Sequence, residues 1–367
     1  MPIPLPLSSY PEDHNLPFPV FRQPTIVGHF SLDGDRRFLP NMTGLSYLVG
    51  GMLDPDRSKV SFDLNRGVGK AVKAIPSKSE ERLDHLLRGL LLNKEKFAVE
   101  GELRSLHTDI VCFRGLLTTV MCSPYERREG WEMHVARWRG TLYIMQVDTE
   151  QKKRSRNEET ERQRTMSSWG YKFEQYMSTP NPNQKPDTEA AVNENEEFCC
   201  LFRTRVGGVS VVYGAEMDAY QASRKLEEGD KLCTEKFVEM KTSREVDSER
   251  QERNFRKFKL LKWWAQSFLV GTKQVLCGWR DDQGLVGRLE VFQVRDIPKT
   301  AVEWKANTCA NFLSSFLSLL KTRVTTDDLT TIHRVTWDPW SGLQLSHWTA
   351  GPGEHFLPDW YTQGLFR

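Results

Sequence analysis

Two acids, Glu216 and Asp218, stand one residue apart in YGAEMDAY (213–220), directly after the apolar run GGVSVVYG. That run reads as a buried β-strand, and burying a carboxylate is costly unless it is paired or bound to a metal. If the strand continues, alternation points Glu216 and Asp218 to one face and Ala215, Met217 and Ala219 to the other. FVEMKTS repeats the design, with Glu239 and Lys241 on one face and Val238 and Met240 opposite. The 20 residues between Asp218 and Glu239 fit a hairpin with a loose loop. Side by side, the two strands would present Glu216, Asp218, Glu239 and Lys241 as one cluster. Three carboxylates that close repel unless a cation neutralises them. Hard oxygen donors suit Mg2+ or Mn2+. A lysine two residues past a ligand can position a water or a phosphate oxygen. The same residues also fit two solvated edge strands with a Glu239–Lys241 ion pair, and spacing alone does not separate these readings.

The flanking segments add to the first reading. WGYKFEQYM supplies a further acid, Glu174, after alternating Tyr171 and Phe173. A strong helical pattern, SERQERNFRKFKLLKWWAQSFLVG (248–271), follows the VEMK strand and stops near Gly271. On it Lys259, Lys262 and Gln266 lie along one stripe at i, i+3 and i+7, while Trp263 and Trp264 read as core and the lysines as snorkelling cations. Acid, then Glu-x-Lys, then helix is the form of the PD-(D/E)XK nuclease core.

Other elements must hold this cluster in place. KSEERLDHLLRGLLLN (78–93) is an amphipathic helix with Ser79 as N-cap. DIVCFRGLLTTVM (109–121) mixes strand and helix signals, and WEMHVARWRGTLYIMQVD (131–148) predicts a long strand or a hairpin pivoting at Arg139–Gly140. The charged stretch 149–165 has no apolar face and predicts an exposed loop or helix extension, with a solvated run or an import signal at KKRSR. Strands and helices mix without a strict βαβ rhythm. The expected class is therefore α+β: one domain over 18–367, mixed β-sheets flanked by helices, behind a Pro-rich arm over 1–17.

Composition narrows the functions. The chain has 367 residues, a formal net charge of +2, and 11% aromatic residues, so a polyanion site must come from local clustering rather than bulk charge. No apolar run approaches the ~20 residues that span a bilayer, and the N-terminus lacks the pattern of a secretory signal. Seven cysteines without a C-x-x-C point to reduced thiols in a nuclear or cytosolic setting. RGVGK (66–70) has Leu64 where a P-loop needs its first glycine, and Ala71 follows its lysine. No H-x-x-x-H pair and no G-x-S-x-G occur, which leaves a zincin or a nucleophile elbow unsupported.

Several blocks in order, FSLDGDRRF, FDLNRG, ERLDHLL, FRGLLT, PYERREGWE, GYKFEQYM, GAEMD, VEMKTS and KLLKWWAQSFL, resemble the decapping exoribonuclease (DXO) family. The resemblance runs from about Phe18 to FLPDWY, nearly the whole chain. It implies a nuclease-core fold and a metal-dependent hydrolase of RNA 5′ ends. Implied activities are removal of incomplete or unmethylated guanosine caps and of NAD caps, release of pyrophosphate from 5′-triphosphate RNA, and 5′→3′ degradation. Implied metal ligands are Glu174, Glu216, Asp218, Glu239 and the backbone carbonyl of Met240, for two Mg2+ ions with Mn2+ as substitute. Implied catalytic residues are Glu216, Asp218, Glu239 and Lys241. Arg36, Glu81, Phe113, Arg114, Gly115, Cys199, Glu216, Lys241 and Gln266 align with residues that contact RNA or its 5′ end. Phe113 replaces an expected tryptophan, which keeps an aromatic there, and the segment Lys152–Arg164 is more charged than the family pattern. The resemblance also implies a nuclear location, with the cytosol as the alternative, and no membrane partner. Fungal relatives bind a nuclear 5′→3′ exoribonuclease, so the competing function is an RNA-binding scaffold for such an enzyme. A DNA nuclease of the same core is the third reading.

Overall fold

The computed structural model describes residues 2–75, 82–97, 106–351 and 354–365. Ser79 and Glu81 therefore lie outside the described residues. The first strands are β1 (Ile3–Pro4), β2 (Thr25–Leu32), β3 (Phe38–Leu39), β4 (Tyr47–Leu48), β5 (Lys59–Asp63), β6 (Ile110–Phe113), β7 (Trp131–Trp138), β8 (Thr141–Val147) and β9 (Ser178–Thr179). Then come β10 (Glu197–Val206), β11 (Val209–Glu216), β12 (Ala219–Tyr220), β13 (Phe237–Arg244), β14 (Gln274–Arg280), β15 (Leu285–Gln293), β16 (Thr331–Asp338) and β17 (Gly342–Thr349). The helices are α1 (Asp84–Leu92), α2 (Arg114–Cys122), α3 (Glu150–Asn157), α4 (Glu161–Met177), α5 (Glu249–Asn254), α6 (Leu260–Val270), α7 (Ala306–Arg323) and α8 (Asp359–Gly364).

These strands form two mixed sheets. The ten-stranded sheet runs β1-β17-β16-β7-β8-β6-β11-β10-β2-β3, and the seven-stranded sheet β5-β15-β14-β13-β12-β4-β9. The larger core cluster joins them. Residues of α2, α6 and α7 such as Leu117, Trp264 and Phe316 fill it against Val211 and Tyr213 of one sheet and Val275 and Cys277 of the other. Each sheet buries its other face as well. Val212 and Leu201 meet Leu86, Leu87 and Leu90 of α1, while Val238, Met240 and Leu276 meet Trp169, Phe173 and Met177 of α4. Coverage on both faces explains why β11 reads as an unbroken apolar run rather than an alternating one.

Local chemistry sets the element boundaries. β7 and β8 pair through a two-residue turn whose Arg139 and Gly140 both have positive φ, 49° and 77°. This is the hairpin pivot expected there, in the geometry that matches strand twist. In 109–121 the strand β6 passes straight into α2 at Arg114. Ser248 caps α5 by accepting from the Gln251 N–H, and Gly271 ends α6 in the left-handed conformation at φ 73°. The N-terminal arm is tied down: β1 pairs with Leu345 and Gln344, and Asn311 Nδ2 donates to the carbonyls of His14, Leu16 and Pro17.

Two expectations need correction. The segment WGYKFEQYM is not extended; it is the last half of α4. The spacing that governs it is Trp169, Phe173, Tyr176 and Met177, all buried on one helical face. Thr160 starts the helix with a capping box closed by Gln163. Second, no single strand carries both Glu216 and Asp218. β11 ends at Glu216 in the ten-stranded sheet, and β12 begins at Ala219 in the seven-stranded one. The chain changes sheets across Met217 and Asp218.

Candidate active site

That crossing fixes the site. β11 holds Glu216 beside Cys199 of β10. Three residues on, Ala219 and then Tyr220 pair antiparallel with Val238 and Phe237 of β13. The ladder would next require a partner for the Met240 N–H. Asp218 provides it: its carboxylate accepts from Met240 N at 2.6 Å. One acid thus ends a strand and the other extends the neighbouring ladder with its side chain.

β13 contributes Glu239 and Lys241 on the face opposite Val238 and Met240, as alternation requires. Glu239 is 2% exposed. The Lys241 ammonium donates to it, and the Arg114 guanidinium stands 3.6 Å away. Arg114 reaches there because it is the first residue of α2, and its Nη1 also donates to the Gln266 carbonyl on α6 at 3.4 Å. Gly115 lies in the same first turn, exposed, with open space above it. Phe113 packs against Gly214 across the β6–β11 pair.

Burial and like charge then separate the carboxyls. Burial, reinforced by the charges of Asp218, Glu216 and Glu239, pushes the Glu174 carboxyl well above its usual range. Burial and Glu239 push Asp218 up to about 6, against the pull of Lys241 and the Met240 N–H. Glu239 goes the other way: burial raises it, but Lys241 and Arg114 outweigh that and leave it low. Lys241 loses from burial and gains more from Glu239 and Asp218, so it stays protonated. One ion pair is satisfied here, and two further carboxyls are held at an energetic cost.

The donor set suits a hard divalent cation. It consists of oxygens only, and its members repel one another until a cation arrives. Among the described residues, however, no group of three His, Cys, Asp or Glu side chains stands ready at ion-binding spacing. Glu239 is turned to Lys241 and Arg114, and Asp218 to the Met240 N–H.

The remaining residues aligned with substrate contacts sit differently. Arg36, at φ 60°, is buried and paired with Glu197 at 3.0 Å, and donates to the Asn195 carbonyl. Cys199 is buried, with Sγ 3.9 Å from the same Glu197 carboxylate. Glu197 went unremarked in the sequence; its only signal was a place two residues before Cys199 on one strand face. A large cavity, about 1160 Å³, is elsewhere: it is lined by Tyr125, Arg127, Arg128, Lys257, Phe258 and Trp304. α2 runs from Arg114 to Cys122, about 12 Å at helical rise, so that cavity lies beyond the far end of the helix from the acids.

Residues 22–362 match the model of the RAI1-like PD-(D/E)XK nucleases. The human decapping and exoribonuclease protein is 35% identical over 370 residues, covering 99% of this chain and 91% of the human one. The chain belongs to the RAI1-like PD-(D/E)XK nuclease family. It is a hydrolase of the decapping nuclease type, and nucleases with this core depend on divalent metal. Candida albicans Rai1, crystallised with pU5 and Mn2+, superposes with a TM-score of 0.84 at 22% identity, covering 100% of this chain and 99% of that one. Scheffersomyces stipitis Rai1, crystallised with (3′-NADP)+ and calcium, superposes with a TM-score of 0.82 at 23% identity, over 95% and 98%. Both establish the same fold.

Proposed function

We propose that this protein hydrolyses RNA at the 5′ end, removing incomplete or unmethylated guanosine caps and NAD caps, releasing pyrophosphate from 5′-triphosphates and degrading the strand 5′→3′. The observation that carries this reading is the seam itself. It gathers Glu174, Glu216, Asp218 and Glu239 with Lys241 and Arg114, the residues an RNA phosphate and its counter-ion need. Glu174, Glu216, Asp218, Glu239 and the Met240 carbonyl are the groups that would hold the metal, with Mg2+ the physiological ion. When bound, a divalent ion there stabilises negative charge on the phosphoryl oxygens.

The protein's own groups do the rest. Arg114, anchored at a helix start, presents its remaining N–H donors to the scissile phosphate, with Gln266 beside it. Lys241 is held protonated, so it orients the attacking water by donation and does not act as its base. Water oxygen forms the new bond to phosphorus, the leaving oxygen departs, and the water proton passes to a carboxylate. A site built this way acts on any phosphorus near the 5′ end. Incubating the protein and Mg2+ with RNAs that differ only at the 5′ end, then weighing the released product, tests the reading. Pyrophosphate, an intact cap dinucleotide and mononucleotides report the three reactions. The absence of all three products would leave the scaffold reading in its place.

A further inference from the structure

Helix α5 does not run straight into α6. Phe255–Lys259 between them form a π-turn, ending at Lys259. Such turns insert one residue and re-aim a side chain, and they recur at functional sites. Here the re-aimed group is the Lys259 ammonium, which donates to Ser243 Oγ at 3.1 Å. Ser243 belongs to β13, two residues past Lys241 and four past Glu239, on the same face. Its hydroxyl donates onward to the Arg244 carbonyl. Lys259 is thus fixed to the strand that carries the chemistry, at Ser243, which lies about 13 Å along β13 from Glu239 at strand rise.

The usual account of such a lysine is a snorkelling cation on a helix surface. Its neighbours fit that account and Lys259 does not. Arg253 and Lys257 both pair with Glu303, and Arg256 pairs with Glu252. Among the described residues no carboxylate comes within ion-pair distance of Lys259; its one hydrogen-bond acceptor is a neutral hydroxyl. Burial depresses its basicity, and the groups around it are Cys277 and Arg280, neither an anion. The residue as a whole stays exposed. Lys262, also exposed, and Gln266 continue the stripe along α6 back to Arg114.

We propose that Lys259 holds a backbone phosphate of the RNA strand just beyond the scissile bond, setting the path of the RNA body away from the acids. This rests on the 5′-end hydrolase reading. A phosphate contact gives three signatures: affinity that falls evenly across sequences, a shallower salt dependence, and rescue by arginine. The test is fluorescence anisotropy of 5′-phosphorylated oligouridylate and oligoadenylate in EDTA, over a salt series, with wild type, Lys259→Met and Lys259→Arg. Lys259→Met is expected to bind both oligomers about threefold to tenfold more weakly. Its slope of log affinity against log salt should be shallower by about 0.7, and Lys259→Arg should restore both. Wild-type affinity and slope in Lys259→Met, or equal losses in Lys259→Arg, would overturn the assignment. Wild type that neither binds nor cleaves these oligomers would overturn the hydrolase reading itself, and this one with it.

Discussion

Glu239 and Asp218 are both acids in one site, yet their surroundings push them apart. Glu239 has two cations; Asp218 has one backbone N–H and a repelling neighbour. The consequences for stability have opposite signs. For Asp218, between the unfolded value of 3.8 and about 6, the unfolded chain has released its proton and the fold still holds it. Raising the pH through that window destabilises the metal-free fold. Glu174, also raised by burial and by its carboxylate neighbours, acts in the same sense. Glu239 contributes stability above its unfolded value and loses it as the pH falls through its lowered folded value. A divalent cation relieves only the first two. Added Mn2+ should therefore raise the melting temperature by about 2 °C or more near neutral pH, and by less near pH 5, as scanning fluorimetry will report. An equal shift at both pH values would contradict the assignment. Arg36 offers a second residue-scale test. Removing it takes a cation from the part-buried Glu197 carboxylate, so Arg36→Met should destabilise the fold by about 1–3 kcal/mol in urea. The residue types of the site were legible in the sequence because acids beside apolar runs are costly and therefore visible. The Arg36–Glu197 pair was not, because its partners lie 161 positions apart and neither stands out alone.

At the scale of elements, local codes were readable and long-range ones were not. The Arg139–Gly140 hairpin, the α5–α6 helix with its Gly271 stop and the β12–β13 pairing follow from turn residues and periodicity. The break between β11 and β12 left no such mark. Alternation through GAEMDAY is the same whether one sheet or two receives it, and the choice is made by β10 on one side and β13 on the other. The alternation of Tyr171 and Phe173 ahead of Glu174 misled for a related reason: the burial that counts runs from Trp169 to Met177 at helical spacing. The packing of α4 gives an element-scale prediction. A Cβ at Gly278 of β14 would collide with the ring of Phe173, one residue before Glu174. Gly278→Ala should cost about 1–3 kcal/mol, displace α4 and lower hydrolysis. Pairing it with Phe173→Leu should recover part of the stability. Unchanged melting in Gly278→Ala would show that α4 is not seated as described.

The whole molecule is two sheets with three helices between them, and its chemistry lies where the chain passes from one sheet to the other. The site therefore depends on the relative placement of both sheets, although each is a complete hydrogen-bonded unit. The cavity lined by Tyr125, Arg127 and Arg128 is remote from that seam. Arg127→Ala with Arg128→Ala should thus leave hydrolysis within about twofold of wild type; a tenfold loss would relocate the site. The central claim is that the acids at the seam act chemically on RNA rather than hold the sheets together. The direct measurement compares Glu216→Ala/Asp218→Ala with wild type, scoring both release of 5′-end product with Mg2+ and binding of the same RNA in EDTA. The account predicts that hydrolysis falls by at least about a hundredfold while binding stays near wild type. Full hydrolysis by the double variant would contradict it.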